Sequence, residues 1–175
     1  MRGWRAFVVT LAALVAVGVA APASAAPSPR DISYLLATHQ EYLSAIAAGA
    51  LAAQRGEADE VRRLGQAFVD DHRRLDQELV ALAGQLKVPL SDELDRPKQA
   101  ELKALAEAPA GAGFDQLWIT EQIEAQGQLY DGISHELNYG FDERVKNLAR
   151  GADDVILAHI GELNRADAEV NAPAQ

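Results

Sequence analysis

Few residue types in this 175-residue sequence can do chemistry. There are four histidines (His39, His72, His135 and His159), an aspartate beside one of them (Asp71), and no cysteine. Neutral imidazoles are common ligands for zinc, copper and iron, and they titrate near neutral pH. His39, His72 and His159, with Asp71 as a further donor, therefore form a candidate transition-metal set. Gln126, Glu162 and Asp76 stand where they could support such ligands or complete a polar layer. Three readings follow from the same residues. One is a layer in which imidazole, amide and carboxylate satisfy one another and hold helix register. The second is a metal centre, and the third is a small-ligand pocket or pH-sensing layer.

Other chemistries are poorly supplied. A di-iron carboxylate bundle needs inward glutamates and paired Glu-x-x-His motifs. The positions three before His39, His72 and His159 hold Leu36, Val69 and Ile156, and Glu121 and Glu124 project away from the Gln126 face. Ferritin-style iron oxidation does not fit. Nucleophilic catalysis lacks a cysteine, Ser44 projects outward, and Ser134 adjoins His135 on a face read as exposed. No glycine-rich phosphate loop is present.

The elements that must position these residues are helices. Val61, Leu64, Phe68, Leu75, Leu79, Leu82 and Leu86 recur at steps of three and four, broken only where Asp71 and His72 compete for one slot. A preceding segment opens at Ser28-Pro29, carries Ile32, Leu36, His39, Leu43, Ile46, Ala50 and Ala53 on one stripe, and stops at Gly56. A third long segment shows Ile119, Ile123, Gln126, Tyr130, Ile133 and Leu137. A fourth, after the turn at Gly140, shows Val145, Leu148, Ala152, Val155, His159, Leu163, Ala166 and Val170. Between the second and third, residues 87–112 form a connector with a short helix over Asp95 to Glu107. Counted from Gly56, His39 and His72 fall at similar heights on antiparallel helices and should face each other. Gln126 and His159 also fall near mid-bundle, so the four groups are expected in one layer, with His135 exposed. No alternating strand pattern competes. The expected fold is all-α, a four-helix bundle with a short extra helix in its connector.

The first 25 residues read as an export signal: Arg2 and Arg5, an apolar run over residues 6–21, Pro22, then Ala23-Ser24-Ala25 as the cleavage triplet. Cleavage after Ala25 leaves residues 26–175 as one domain, addressed to the extracellular or cell-envelope (periplasmic) space without a membrane span. Loss of Arg2 and Arg5 moves the net charge from -10 to -12. So acidic a chain lacks the basic patch that nucleic acid or anionic lipid requires.

Leu64 to His72, Leu-Gly-Gln-Ala-Phe-Val-Asp-Asp-His, resembles the Phe-Ala-x-x-Met-Val-x-Asp-His motif of an exported bacterial family, domain of unknown function four-one-four-two. Its members are often labelled outer membrane proteins and grouped with ferritin-like bundles. Gly49-Ala50-Leu51-Ala52, Phe114-Asp115 with Trp118, and His159 with Leu163 extend the resemblance over Asp31 to Ala168. It implies a ferritin-like bundle with the connector as crossover, and supplies no activity. The chain departs from the family pattern at Gln126, where a histidine is common, and at Ala45, where an acid is common. His39 lies outside the pattern. The expectation is an exported, non-enzymatic bundle with an envelope-associated or stress-related role, acting on envelope components or as an oligomer. The alternative is a metal-binding or metal-storing bundle.

Overall fold

The computed structural model describes residues 26–171. The expected signal peptide, residues 1–25, lies outside the described residues. Five helices follow in order: α1 (Pro29–Arg55), α2 (Asp59–Leu86), α3 (Arg96–Glu107), α4 (Ala112–Tyr139) and α5 (Glu143–Val170). Local chemistry sets their ends. Ser28 and Asp31 make a reciprocal capping box around Pro29, and Asp95 and Asp142 cap α3 and α5. The connector helix therefore begins one residue after its expected start.

The four long helices form a ferritin-like bundle in which α1 packs on α2 and α4, and α5 packs on α2 and α4. That leaves α2 diagonal to α4. The connector carries α3 down the outside of α1 and α4. Two side chains of α1 pin it: Gln40 bonds Ser91, Glu93 and Asp95, and the Arg55 guanidinium donates to the carbonyls of Leu105, Ala106 and Ala108 at its far end.

The α1–α2 contact is close for a simple reason. Gly49 and Gly65 face each other, and a Cβ on Gly65 would stand 2.6 Å from the Gly49 carbonyl and 2.5 Å from the Ala53 nitrogen. Only hydrogen fits there. Gly56 also ends α1, but with φ -54°, so crowding by Ala52 and Val61, and not a left-handed backbone, selects glycine there.

Burial agrees with the expected stripes of α2 and α5 and corrects that of α1. Leu36 is 41% exposed, whereas Tyr34, Leu35, Thr38, Tyr42, Ala45, Ala48 and Ala52 are buried. Of the expected α1 stripe, His39 stays buried. Alanines on every side of α1 give its pattern little contrast, so the rotation of the helix is not encoded in periodicity alone.

The two hairpins, α1–α2 and α4–α5, repeat each other. Asp31 and Asp115, Leu35 and Ile119, Tyr42 and Gln126, Gly56 and Gly140, and Val61 and Val145 each lie 84 residues apart. Apart from the paired glycines, each of these pairs is buried at both positions. Asp31 accepts from the backbone nitrogens of Phe141 and Asp142 in the α4–α5 turn, and Asp115 accepts from those of Glu57 and Ala58 in the α1–α2 turn. Each hairpin thus clamps the turn of the other.

Candidate functional site

The core is two apolar clusters stacked along the bundle, one around Leu35, Leu75, Ile133 and Ile156, the other around Phe68, Phe114, Trp118 and Leu163. Three of the four expected polar groups, His72, Gln126 and His159, lie at the level where the clusters meet. The sequence explains why: each stands within a turn or two of both clusters on its own helix.

His72 is fully buried and fills the slot for which Asp71 competed. Its Nδ1–H donates to the Phe68 carbonyl at 2.9 Å, which leaves Nε2 as a lone pair. The Gln126 amide donates to that lone pair at 3.3 Å, bridging the bundle diagonal from α4 to α2. Burial, and then His159 nearby, pulls the His72 imidazole down to about 4 from its ordinary 6.5, so it is neutral at pH 7. His159 stacks on Phe68 with ring centres 4.3 Å apart, and its ring lies 5.1 Å from that of His72. Its Nε2–H donates to Asp71 Oδ2 at 3.1 Å, on the half-exposed rim of α2. Burial lowers the His159 pKa as well, against the opposing pull of Asp71.

His39 does not join this layer. It is buried, but its Nδ1–H donates to Asp76 at 2.6 Å. Tyr42, one turn further along α1, takes the expected place against His72, with ring centres 5.7 Å apart. The reason is the centre of the turn. Counted from Glu57, midway between α1 and α2, Tyr42 and His72 are each 15 residues away, and His39 is one turn too far. Glu162 is also elsewhere, paired with Arg63 at 3.3 Å on the surface. His135 is exposed, as expected. Sequence periodicity missed Tyr42, Phe68 and Trp118 as walls of the layer; the 84-residue repeat, which sets Tyr42 opposite Gln126, is the signal that finds Tyr42.

These residues do not fit a metal ion as they stand. The His72 lone pair is taken by Gln126, and the free nitrogens of His39 and His159 are both buried and without partners but belong to different levels. Among the described residues no three His, Asp or Glu side chains gather closely enough to hold an ion. The arrangement ties the helices together: α2 bonds α1 through Asp76, α4 through His72 and α5 through Asp71.

The model of the family described as Domain of unknown function (DUF4142) matches residues 17–165. The chain belongs to the DUF4142 family. The fold of this DUF4142 protein is also similar to a solved structure described as a DUF305 fragment from Deinococcus radiodurans. The TM-score is 0.67 at 16% identity, over 82% of this chain and 97% of that one. At that identity the likeness concerns the fold. No curated protein matches the chain. No described helix is long and apolar enough to cross a membrane.

Proposed function

We propose that this chain is an exported, non-enzymatic bundle that works by binding through its surface, in the extracellular or cell-envelope space. The observation that carries the reading is how the histidine layer is used. His72 spends both ring nitrogens, on the Phe68 carbonyl and on Gln126, His159 spends one on Asp71, and the layer lies between two packed apolar clusters, with Phe68 stacked on His159. A group buried in this way fixes which helix faces which, because shifting any helix by a residue strands a donor or an acceptor. Export rests on the sequence of residues 1–25 and on the acidic surface left after them.

Two measurements test the reading. Intact mass of the protein recovered outside the cytoplasm should give Ala26 as the first residue; retention of residues 1–25 on a cytoplasmic product overturns export. For the layer, chelator-stripped protein should keep its Tm when zinc, copper, manganese or ferrous iron is added. His159→Leu should be neutral or stabilising, because it removes a buried unpaired nitrogen and returns Asp71 to solvent. Binding at a hundredfold excess over Kd adds about 2.7 kcal/mol. A Tm rise of that order, lost in His159→Leu, overturns the structural layer in favour of a metal site.

A further inference from the structure

Against α1 and α4, the connector helix α3 closes over a cavity of about 220 Å³. A single water needs only about 15 Å³, so the space suits a molecule with a carbon chain. Its lining divides into two kinds. Ala45, Ala48, Leu102 and Leu105 offer hydrocarbon, while Glu41, Glu101, Glu121 and Glu124 surround it with carboxylates. Burial pushes the Glu121 carboxyl up, and Glu101 and Glu124 add to the shift, which marks a crowd of like charges.

Two further observations indicate what belongs there. Gln122, only 5% exposed, lines the cavity with its carbonyl oxygen lacking any hydrogen-bond partner. A buried acceptor of this kind is stabilised by an incoming N–H. The second is Lys98, whose ammonium already sits in the cavity wall at 2.9 Å from Glu41 and 3.5 Å from Glu101. The chain itself thus places an alkylammonium against these carboxylates. Anions are repelled, and among the described residues no carboxylates converge tightly enough for a bare metal ion.

We propose that this cavity binds a primary alkylammonium, with a linear aliphatic diamine as its ligand. One ammonium donates to the Gln122 carbonyl oxygen, which the amide turns out of its buried position into the cavity on binding, the methylenes lie on Ala45, Ala48 and Leu102, and the second ammonium meets Glu121 and Glu124. The inference rests on the reading of this chain as a binding protein, and its failure is separate from that reading's. A retained signal or a metal-dependent Tm overturns the earlier reading and leaves the titration below unaffected.

The test is calorimetric titration of the mature chain with cadaverine at low ionic strength. Saturable heat is expected, weakened about tenfold or more in Gln122→Leu and in Glu121→Gln, and unchanged in Asp154→Asn on α5. Absence of saturable heat overturns the proposal. So does equal binding by Gln122→Leu, which assigns the heat to a diffuse acidic surface, and so does complete displacement by magnesium at matched ionic strength. Blocked lysine binding more tightly than cadaverine overturns the free diamine in favour of a lysine side chain on a polypeptide. Circular dichroism checks that each variant is folded. Should Gln122→Leu fail to fold, amide NMR of the unmodified chain decides: cadaverine must shift Ala45, Leu102 and Gln122, and shifts elsewhere overturn the site.

Discussion

His72 and Glu136 are both kept neutral by burial, and so they respond to pH in opposite directions. Glu136 lies under the α4–α5 turn, where burial and then the neighbouring Asp31 push its carboxyl up to about 7 from an ordinary 4.5. Burial works in the same direction on Asp31, but hydrogen bonds from Ser28 and from the Phe141 and Asp142 backbone prevail and hold it at about 2. The folded chain keeps a proton on Glu136 that the unfolded chain releases between pH 4.5 and 7, so this contribution is full below that window and gone above it. For His72 the unfolded chain takes up a proton at 6.5 and the folded chain only at about 4, so its contribution is full above 6.5 and lost as pH falls. Glu136→Gln should therefore be more stable than the parent at about pH 8 and close to it near pH 4.5, by urea unfolding at each pH. His72→Leu should cost about 1–3 kcal/mol at pH 8, because the Gln126 amide loses its acceptor. It should also flatten the loss of stability between pH 6.5 and 4 that the parent shows from this residue.

Among the helices, the α1–α2 hairpin carries the tightest constraint. Gly65→Ala adds about 1 kcal/mol of helix propensity, but its methyl would meet the Gly49 carbonyl, the Ala53 nitrogen and the Ala52 Cβ, at 2.5–2.8 Å. Two of those atoms are backbone, which cannot rotate away, so the helices must part. A net loss of about 2 kcal/mol or more is expected in denaturant unfolding, whereas Gly84→Ala, with nothing within 4 Å of its Cβ, should be stabilising. Helix ends were legible in advance because caps and breakers act within four residues: Ser28, Gly56, Asp95 and Gly140 all mark ends seen in the structure. The rotation of α1 was not legible, because an alanine-rich helix offers no apolar contrast and its orientation comes from the glycine contact with α2.

For the molecule as a whole, Asp31 and Asp115 join the two hairpins at opposite ends of helices about 40 Å long. Each holds two backbone nitrogens of the other hairpin's turn. Asp31→Ala and Asp115→Ala should each cost about 1.5–3 kcal/mol, the range for hydrogen bonds to a charged acceptor. Because the sites share no partner, the double variant should lose the sum of the two within about 0.5 kcal/mol. Coupling larger than that, read from a double-mutant cycle in urea, would mean that the two clamps interact energetically along the helices between them.

By itself the sequence determined the helical class, the helix ends to within a few residues and three of the mid-bundle polar positions, while the crossover of the connector came from the family resemblance. It could do so because capping, turn chemistry and periodicity are local. Which polar groups meet was decided by the tertiary structure. The centre of the first turn lies at Glu57 and not Gly56, and that single residue puts Tyr42 against His72 and sends His39 to Asp76. The diagonal bond from Gln126 to His72, the crossed clamps of Asp31 and Asp115, and the cavity beneath α3 likewise depend on how whole helices are rotated and spaced. Those are properties of two surfaces in contact, and no single helix carries the information for both.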